Sequence, residues 1–245
     1  MLFGPYLAGL VLRAEDRAWD PVVLPLLATW LLGYFAFNAA SLWLKAAPAR
    51  RGRLRAPLLT YVSASAGFGL VSLALAGWGL LGWVVPYSPL LAGALVLAGR
   101  RNERAVLGGA LTVAAACLMT LVCRFPIADH VLTGWGTPAV AGAVGVALVL
   151  FGYFFGTVLY VKTMIRERGR PGWLAASVGW HVGCLLVAVV AWGASTPAFG
   201  VFFALAALRS GLVPWIARRR PVTPRQVGLV EVAMSVGLLA LVATS

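Results

Sequence analysis

Apolar runs separated by short clusters of Arg, Lys, Pro and Gly recur from one end of the chain to the other, and no long polar interval divides them. A hydrocarbon layer about 30 Å thick needs roughly 20 apolar residues to be crossed as a helix. On that template the pattern predicts eight full spans, at residues 22–44, 57–77, 79–99, 105–123, 139–165, 173–192, 196–217 and 229–244. Residues 1–12 are also apolar but too short to span, and they lack the basic leading region of a signal peptide. They read as the second half of a further helix, truncated or started late, which brings the expected total to about nine. The expected fold is an all-α, polytopic transmembrane helix bundle forming one domain over residues 1–245.

Composition agrees with the pattern. Of 245 residues, 61% are hydrophobic and 11% charged, and mean hydropathy is +0.91, whereas soluble domains are about a quarter charged. A net charge of +13 would in a soluble chain suggest nucleic acid, but its placement gives it another meaning. Sixteen basic residues fall in alternate connections: Lys45, Arg50, Arg51, Arg53 and Arg55; Arg100, Arg101 and Arg104; Lys162, Arg166, Arg168 and Arg170; and Arg218, Arg219, Arg220 and Arg225. The opposite connections hold only Arg13, Arg17 and Arg124. By the positive-inside rule the basic connections are cytoplasmic, which places the N-terminus inside and the C-terminus outside a bacterial inner membrane. No basic stretch is interleaved with stacking aromatics, so no nucleic-acid partner is expected.

Residues that carry chemistry in soluble enzymes have plainer readings here. Cys117, Cys123 and Cys184 form no C-x-x-C pair and no metal-ligand spacing, so buried apolar thiols are expected and neither a metal nor a cofactor. His130, beside Asp129 in the longest outer connection, reads as a solvated loop residue. His181, inside a span, reads first as a hydrogen-bonded packing residue and second as a proton relay. Trp19, Trp135, Trp173, Trp192 and Trp215 fall near span edges, where indole rings prefer to lie. Gly152 and Gly156 make a small-xxx-small pair for close helix packing.

Polar groups within the spans say more, because lipid makes them costly. Tyr34, Asn38, Ser41 and Lys45 share one helical face, and Tyr153, Thr157, Tyr160 and Glu167 repeat that rhythm in the span 139–165. Two such stripes descending to the same membrane face fit either a cavity or helix contacts satisfied by hydrogen bonds. Deeper lie Arg209, roughly 13 Å above Arg218 at 1.5 Å per residue, and Glu231 near the start of its span. They are expected to form a structural ion pair; the functional alternative has Arg209 neutralising an anionic ligand and Glu231 holding it in the empty site. Glu103, between Arg101 and Arg104, reads as solvated loop charge.

"RNERA" at 101–105, "GTVLYVKTMIRERG" at 156–169, "VGWH" at 178–181 and "RQVGLVEV" at 225–232 resemble, in that order, the YwiC-like family of bacterial membrane proteins. The resemblance covers most of the chain after residue 20 and implies a multi-span inner-membrane protein without an assigned activity. The family's usual leading segment, of the form P-K-x-H-G-A-W, is not present, in keeping with a truncated first helix. A weaker likeness is to the UbiA superfamily of intramembrane prenyltransferases, which share nine helices and an inside N-terminus. In those enzymes Asp-rich motifs after the second and sixth helices bind Mg²⁺ and a prenyl diphosphate. Here the matching segments, "NAASLWLKAAPARRGRLRAPL" at 38–58 and "KTMIRERGRPGWLAASVG" at 162–179, keep Asn38 but put Leu42 and Ala46 at the Asp positions. Glu167 is the sole acid of the second segment, so metal-dependent prenyl transfer is not expected.

Lys45, Arg51, Arg53, Arg55, Lys162, Arg166 and Arg168 stand in place of those acids. They suit either a bound anionic headgroup, through bidentate guanidinium forks, or attraction to the anionic leaflet at about 1 kcal/mol each. The expectation is therefore a multi-pass protein in the lipid bilayer that binds an anionic or amphipathic small molecule or lipid in a cavity open to the cytoplasm between the second and sixth helices, as a metal-independent UbiA-like relative or as a holder. Its candidate ligand residues are Asn38, Lys45, Tyr153, Tyr160, Lys162, Arg166, Glu167, Arg209 and Glu231. A transporter or permease, and a scaffold without ligand, are the alternatives.

Overall fold

The structure is a computed structural model that describes residues 2–14, 20–102, 105–193, 195–220 and 222–244. Arg17, Trp19, Glu103 and Arg104 lie outside the described residues. Every regular element among those described is helical: α1 (Gly4–Ala14), α2 (Val23–Lys45), α3 (Pro48–Ala76), α4 (Val84–Gly99), α5 (Val106–Arg124), the short α6 (Asp129–Thr133), α7 (Pro138–Val161), α8 (Pro171–Trp192), α9 (Pro197–Ile216) and α10 (Pro224–Val242). Eight of these, counting the turns that extend α4 and α7, are long and apolar enough to cross a membrane, so the chain is a multi-pass membrane protein.

Three boundaries differ from the sequence pattern. Helix α3 begins at Pro48 rather than at residue 57 and continues through Pro57. Proline suits the first helical turn, and the carbonyl of Arg53 that Pro57 leaves unbonded lies in an exposed basic stretch. Helix α4 is preceded by a 3-10 segment, Trp78–Trp83, entered through Gly77 at φ +86°. Helix α10 starts five residues earlier than the apolar run, because Thr223 and Gln226 form a capping box ahead of it.

The chain divides into two compact units, residues 2–144 and 145–245, with the division inside α7. In the first, α2 and α3 form an antiparallel hairpin over a two-residue connection. Small residues let their backbones approach: Ser65 donates to the carbonyl of Thr29 at 3.0 Å, and a Cβ on Gly33 would lie 3.4 Å from Ser65 Oγ. Helix α1 packs on α5 even more closely, since a Cβ on Gly9 would meet Cys123 Cβ and the Thr120 carbonyl, both at 2.7 Å. Thr120 donates to the carbonyl of Pro5 at 2.9 Å and Tyr6 to that of Val23 at 2.6 Å.

Two arginines of the Arg-poor connections, Arg13 and Arg124, have a structural use. Arg13, at the end of α1, donates to the carbonyls of Cys123 and Arg124 at 3.1 and 3.2 Å, and Arg124, at the end of α5, donates to that of Leu12 at 2.7 Å. Each guanidinium thus satisfies carbonyls left over at the other helix's C-terminus, where the helix dipole also favours a cation. Asp20 pairs with Arg13, so the buried charge is compensated. Beside them Trp83 Nε1 donates to the carbonyl of Phe125 at 2.9 Å, and the amide of Ala128 donates to Gly79 at 3.1 Å. His130 and Asp129 are exposed, as expected, but they open the short helix α6 and are not in a loop.

In the second unit α7 is the buried element: Leu150, Tyr153, Phe154 and Tyr160 are all fully buried, whereas most of α8 is half-buried or exposed. That burial is what allows α7 to carry polar side chains away from lipid. Gly152 and Gly156 fit tightly there, for a Cβ on Gly152 would lie 3.1 Å from Cys184 Sγ and one on Gly156 2.7 Å from His181 Nε2. Cys117 and Cys123 are buried, Cys184 is half-buried, and all three are free thiols.

Candidate functional site

The second unit brings polar groups from four helices into one buried network. Arg209 of α9 forms an ion pair with Glu231 of α10 through Nη1 and Oε1, as the sequence suggested. The other carboxylate oxygen, Oε2, accepts from Thr157 at 2.7 Å and from Tyr153 at 3.1 Å, both on α7. The remaining arm of Arg209, Nη2, lies 3.4 Å from Nε2 of His181 on α8. Its guanidinium carbon sits 4.3 Å from the centroid of the Tyr160 ring and 5.9 Å from that of Tyr153, within cation-π range.

The imidazole's neighbours fix its tautomer. His181 Nδ1 lies 2.7 Å from the carbonyl of Ser177, which can only accept, so Nδ1 carries the hydrogen. A guanidinium can only donate, so Nε2 presents its lone pair to Arg209. A neutral imidazole satisfies both partners. Gly156 makes room for this contact, and its lack of a side chain is what brings α8 against α7 at that level.

Three polar atoms of the network remain without a hydrogen-bond partner among the described residues: Tyr160 Oη, Ser177 Oγ and Arg209 Nε, all buried. Arg209 Nε can only donate, whereas each hydroxyl can donate or accept, so all three have hydrogen-bonding capacity to spare. Buried polar groups are usually satisfied, which makes three unsatisfied ones in one intramembrane network unusual.

The lower end of α7 departs from the expected register. Residues Lys162–Arg166 form a π turn, closed by the amide of Glu167 on the carbonyl of Lys162 at 2.8 Å. The wider turn adds a residue and breaks the face shared by Tyr153, Thr157 and Tyr160 before it reaches Glu167. Glu167 instead pairs with Arg170 at 2.7 Å. Lys162 Nζ lies 4.7 Å from the Trp173 ring centroid, Arg166 is exposed, and Arg168 donates to the carbonyl of Ala217 at 2.7 Å.

Of the candidate residues, Tyr153, Tyr160, Arg209 and Glu231 meet in one network, and Lys162, Arg166 and Glu167 stand at the end of the helix carrying two of them. Asn38 and Lys45 belong to the first unit, where Asn38 is exposed and Ser41, on the same stripe, donates to its own helix at Phe37. The candidate set left out Thr157, His181 and Ser177. Thr157 was visible on the α7 stripe. His181 and Ser177 are four residues apart on α8, a spacing that puts a small polar residue over an intramembrane histidine. No group of His, Cys, Asp and Glu among the described residues is arranged to hold a metal ion.

A family model described as YwiC-like protein matches residues 1–124, half of the chain, and the chain belongs to that family. A curated relative from Haemophilus influenzae, described as an uncharacterized protein, is 38% identical over 95 residues, which is 38% of this chain and 37% of the relative. The chain therefore aligns with little more than a third of that relative's length. No solved structure matches.

Proposed function

We propose that this YwiC-like membrane protein binds an anionic or amphipathic small molecule or lipid at Arg209, with Glu231 standing in for the anion when no ligand is present. The observation that carries the reading is the unused hydrogen-bonding capacity of the Arg209 network: Arg209 Nε, which can only donate, and the hydroxyls of Tyr160 and Ser177 are buried without a partner among the described residues. A carboxylate or phosphate supplies several acceptors on one charged group and is matched by a guanidinium fork. All of these groups come from residues 145–245, so the site needs no residue of the other unit. Lys162, Arg166 and Glu167 are assigned to its mouth. The proposed setting is a bacterial inner membrane with the N-terminus inside and the C-terminus outside, supported by the sixteen basic residues in alternate connections.

The test is native mass spectrometry with lipid extraction on the detergent-purified chain, its Glu231→Gln variant and the Arg209→Gln/Glu231→Gln double variant. Removing the competing carboxylate alone raises retention of a copurifying molecule, and removing the cation as well abolishes it. Identical retention in all three folded proteins overturns the reading and leaves a structural ion pair. A mass change in the retained molecule on incubation distinguishes a UbiA-like, metal-independent transformation from simple holding.

A transporter has its own supporting observation. His181, Arg209, Glu231, Thr157 and Tyr153 form a continuous polar chain across α7, α8, α9 and α10, of the kind that lines permeation paths. Proteoliposome uptake of the copurifying molecule, present in wild type and lost in the double variant, separates transport from holding.

A further inference from the structure

The end of the second unit that carries the connections after α7 and α9 adjoins the Arg209 network through Tyr160 and is far more basic than it. Residues 162–170 and 215–226 contain eight basic side chains and one acid, Glu167, which is paired with Arg170. Two of the cations rest on indole rings: Lys162 on Trp173 at 4.7 Å and Arg219 on Trp215 at 4.8 Å. Arg168 ties the two connections together through the carbonyl of Ala217 at 2.7 Å, and Tyr160, Met164, Ala217 and Val227 pack beneath it. Arg166, Arg218 and Arg220 point their charge outward and are exposed.

We propose that this edge is a docking surface for the headgroups of anionic phospholipids. Charge complementarity selects the partner, since a phosphodiester offers the acceptors that guanidinium forks bind bidentately. The aromatic-cation pairs select a lipid over a soluble anion. Indoles at a span's end lie at the level of the headgroups, so the cations resting on them are held at the depth of lipid phosphate. The link between Arg168 and Ala217 gives the surface a fixed shape instead of two independently moving basic loops. Lipids therefore reside here and are not merely enriched by a diffuse field.

The experiment uses the full chain in detergent, titrated with phosphatidylglycerol or phosphatidylcholine of matched acyl chains and read by native mass spectrometry. Phosphatidylglycerol adducts persist and phosphatidylcholine adducts do not. Arg218→Gln/Arg219→Gln/Arg220→Gln, which touches no residue of the site proposed at Arg209, lowers the apparent affinity for phosphatidylglycerol roughly tenfold or more, from the contribution of each cation near an anionic headgroup. Arg50→Gln/Arg53→Gln/Arg55→Gln removes the same charge from exposed positions on α3 and leaves those adducts in place. Equal loss in both triple variants, equal retention of the two lipids, or displacement by equimolar inorganic phosphate each overturns the proposal. If the first variant does not fold, the wild type decides. Its thermal midpoint in nanodiscs rises with phosphatidylglycerol content and the rise shrinks with added salt, and a midpoint indifferent to lipid charge refutes the docking surface.

Discussion

Arg209 and Glu231 offer the sharpest quantitative test of the network, because Arg209 is buried, Glu231 is only 13% exposed and each has partners that can be counted. Arg209→Gln leaves the Glu231 carboxylate with the hydroxyls of Thr157 and Tyr153 at 2.7 and 3.1 Å and no cation. Stranding one member of a buried pair costs about 3–5 kcal/mol. Glu231→Gln is milder: its amide oxygen still accepts from both hydroxyls, and the stranded guanidinium keeps the Tyr160 ring at 4.3 Å. With about 1–2 kcal/mol returned by that cation-π contact, the expected cost is about 2–3 kcal/mol. The double variant buries no charge, so its cost is that of losing a nearly break-even pair, about 1–2 kcal/mol. The singles together exceed the double by about 3 kcal/mol or more, and this difference is the coupling energy. Equilibrium unfolding in mixed micelles, followed by circular dichroism and Trp fluorescence across all four proteins, measures it. Additivity within about 0.5 kcal/mol would refute the pair as the centre of the network.

Further predictions concern single positions. Gly156→Ala places a Cβ 2.7 Å from His181 Nε2 and 3.1 Å from Trp180 Cδ1, and is expected to destabilise by about 1–3 kcal/mol in the same assay. Gly67→Ala, exposed on α3 with nothing within 4 Å of its Cβ, is expected to be neutral or to stabilise by up to about 1 kcal/mol. Arg124→Met removes the bond to the carbonyl of Leu12 and is expected to cost about 1.5–3 kcal/mol; a thermal midpoint equal to wild type would show that the cross-capping of α1 and α5 is dispensable. In a chain whose three native cysteines are replaced, a cysteine at Arg170 is expected to label with an impermeant maleimide only after the cytoplasmic face is opened. One at His130 labels from outside, and the reverse pattern would invert the proposed orientation.

The spans were legible in the sequence because lipid imposes a length and a polarity limit that local composition must meet. Seven of the eight were placed within about five residues at each end; the exception, α3, starts nine residues early because its first turns lie outside the apolar run. The Arg209–Glu231 pair was legible for a related reason, since two opposite charges inside apolar spans need each other. What sequence periodicity could not reveal was where the α-helical register ends. The π turn at Lys162–Arg166 removes Glu167 from the face it shares on paper with Tyr160 and gives it to Arg170.

Tertiary structure also decided which polar residues matter. Thr157 is an ordinary small polar residue in sequence, and only the packing of α10 beside α7 sets it on the Glu231 carboxylate, whereas the Ser177 carbonyl meets the imidazole one turn along α8 itself. Arg13 and Arg124 looked like residual charges in Arg-poor connections, yet the approach of α1 to α5 at Gly9 makes each the cap of the other's helix. Composition and spacing therefore determined that this chain crosses the membrane many times, because desolvation acts residue by residue. Which donor meets which acceptor depends on contacts between residues distant in sequence, and those exist only once the helices have packed.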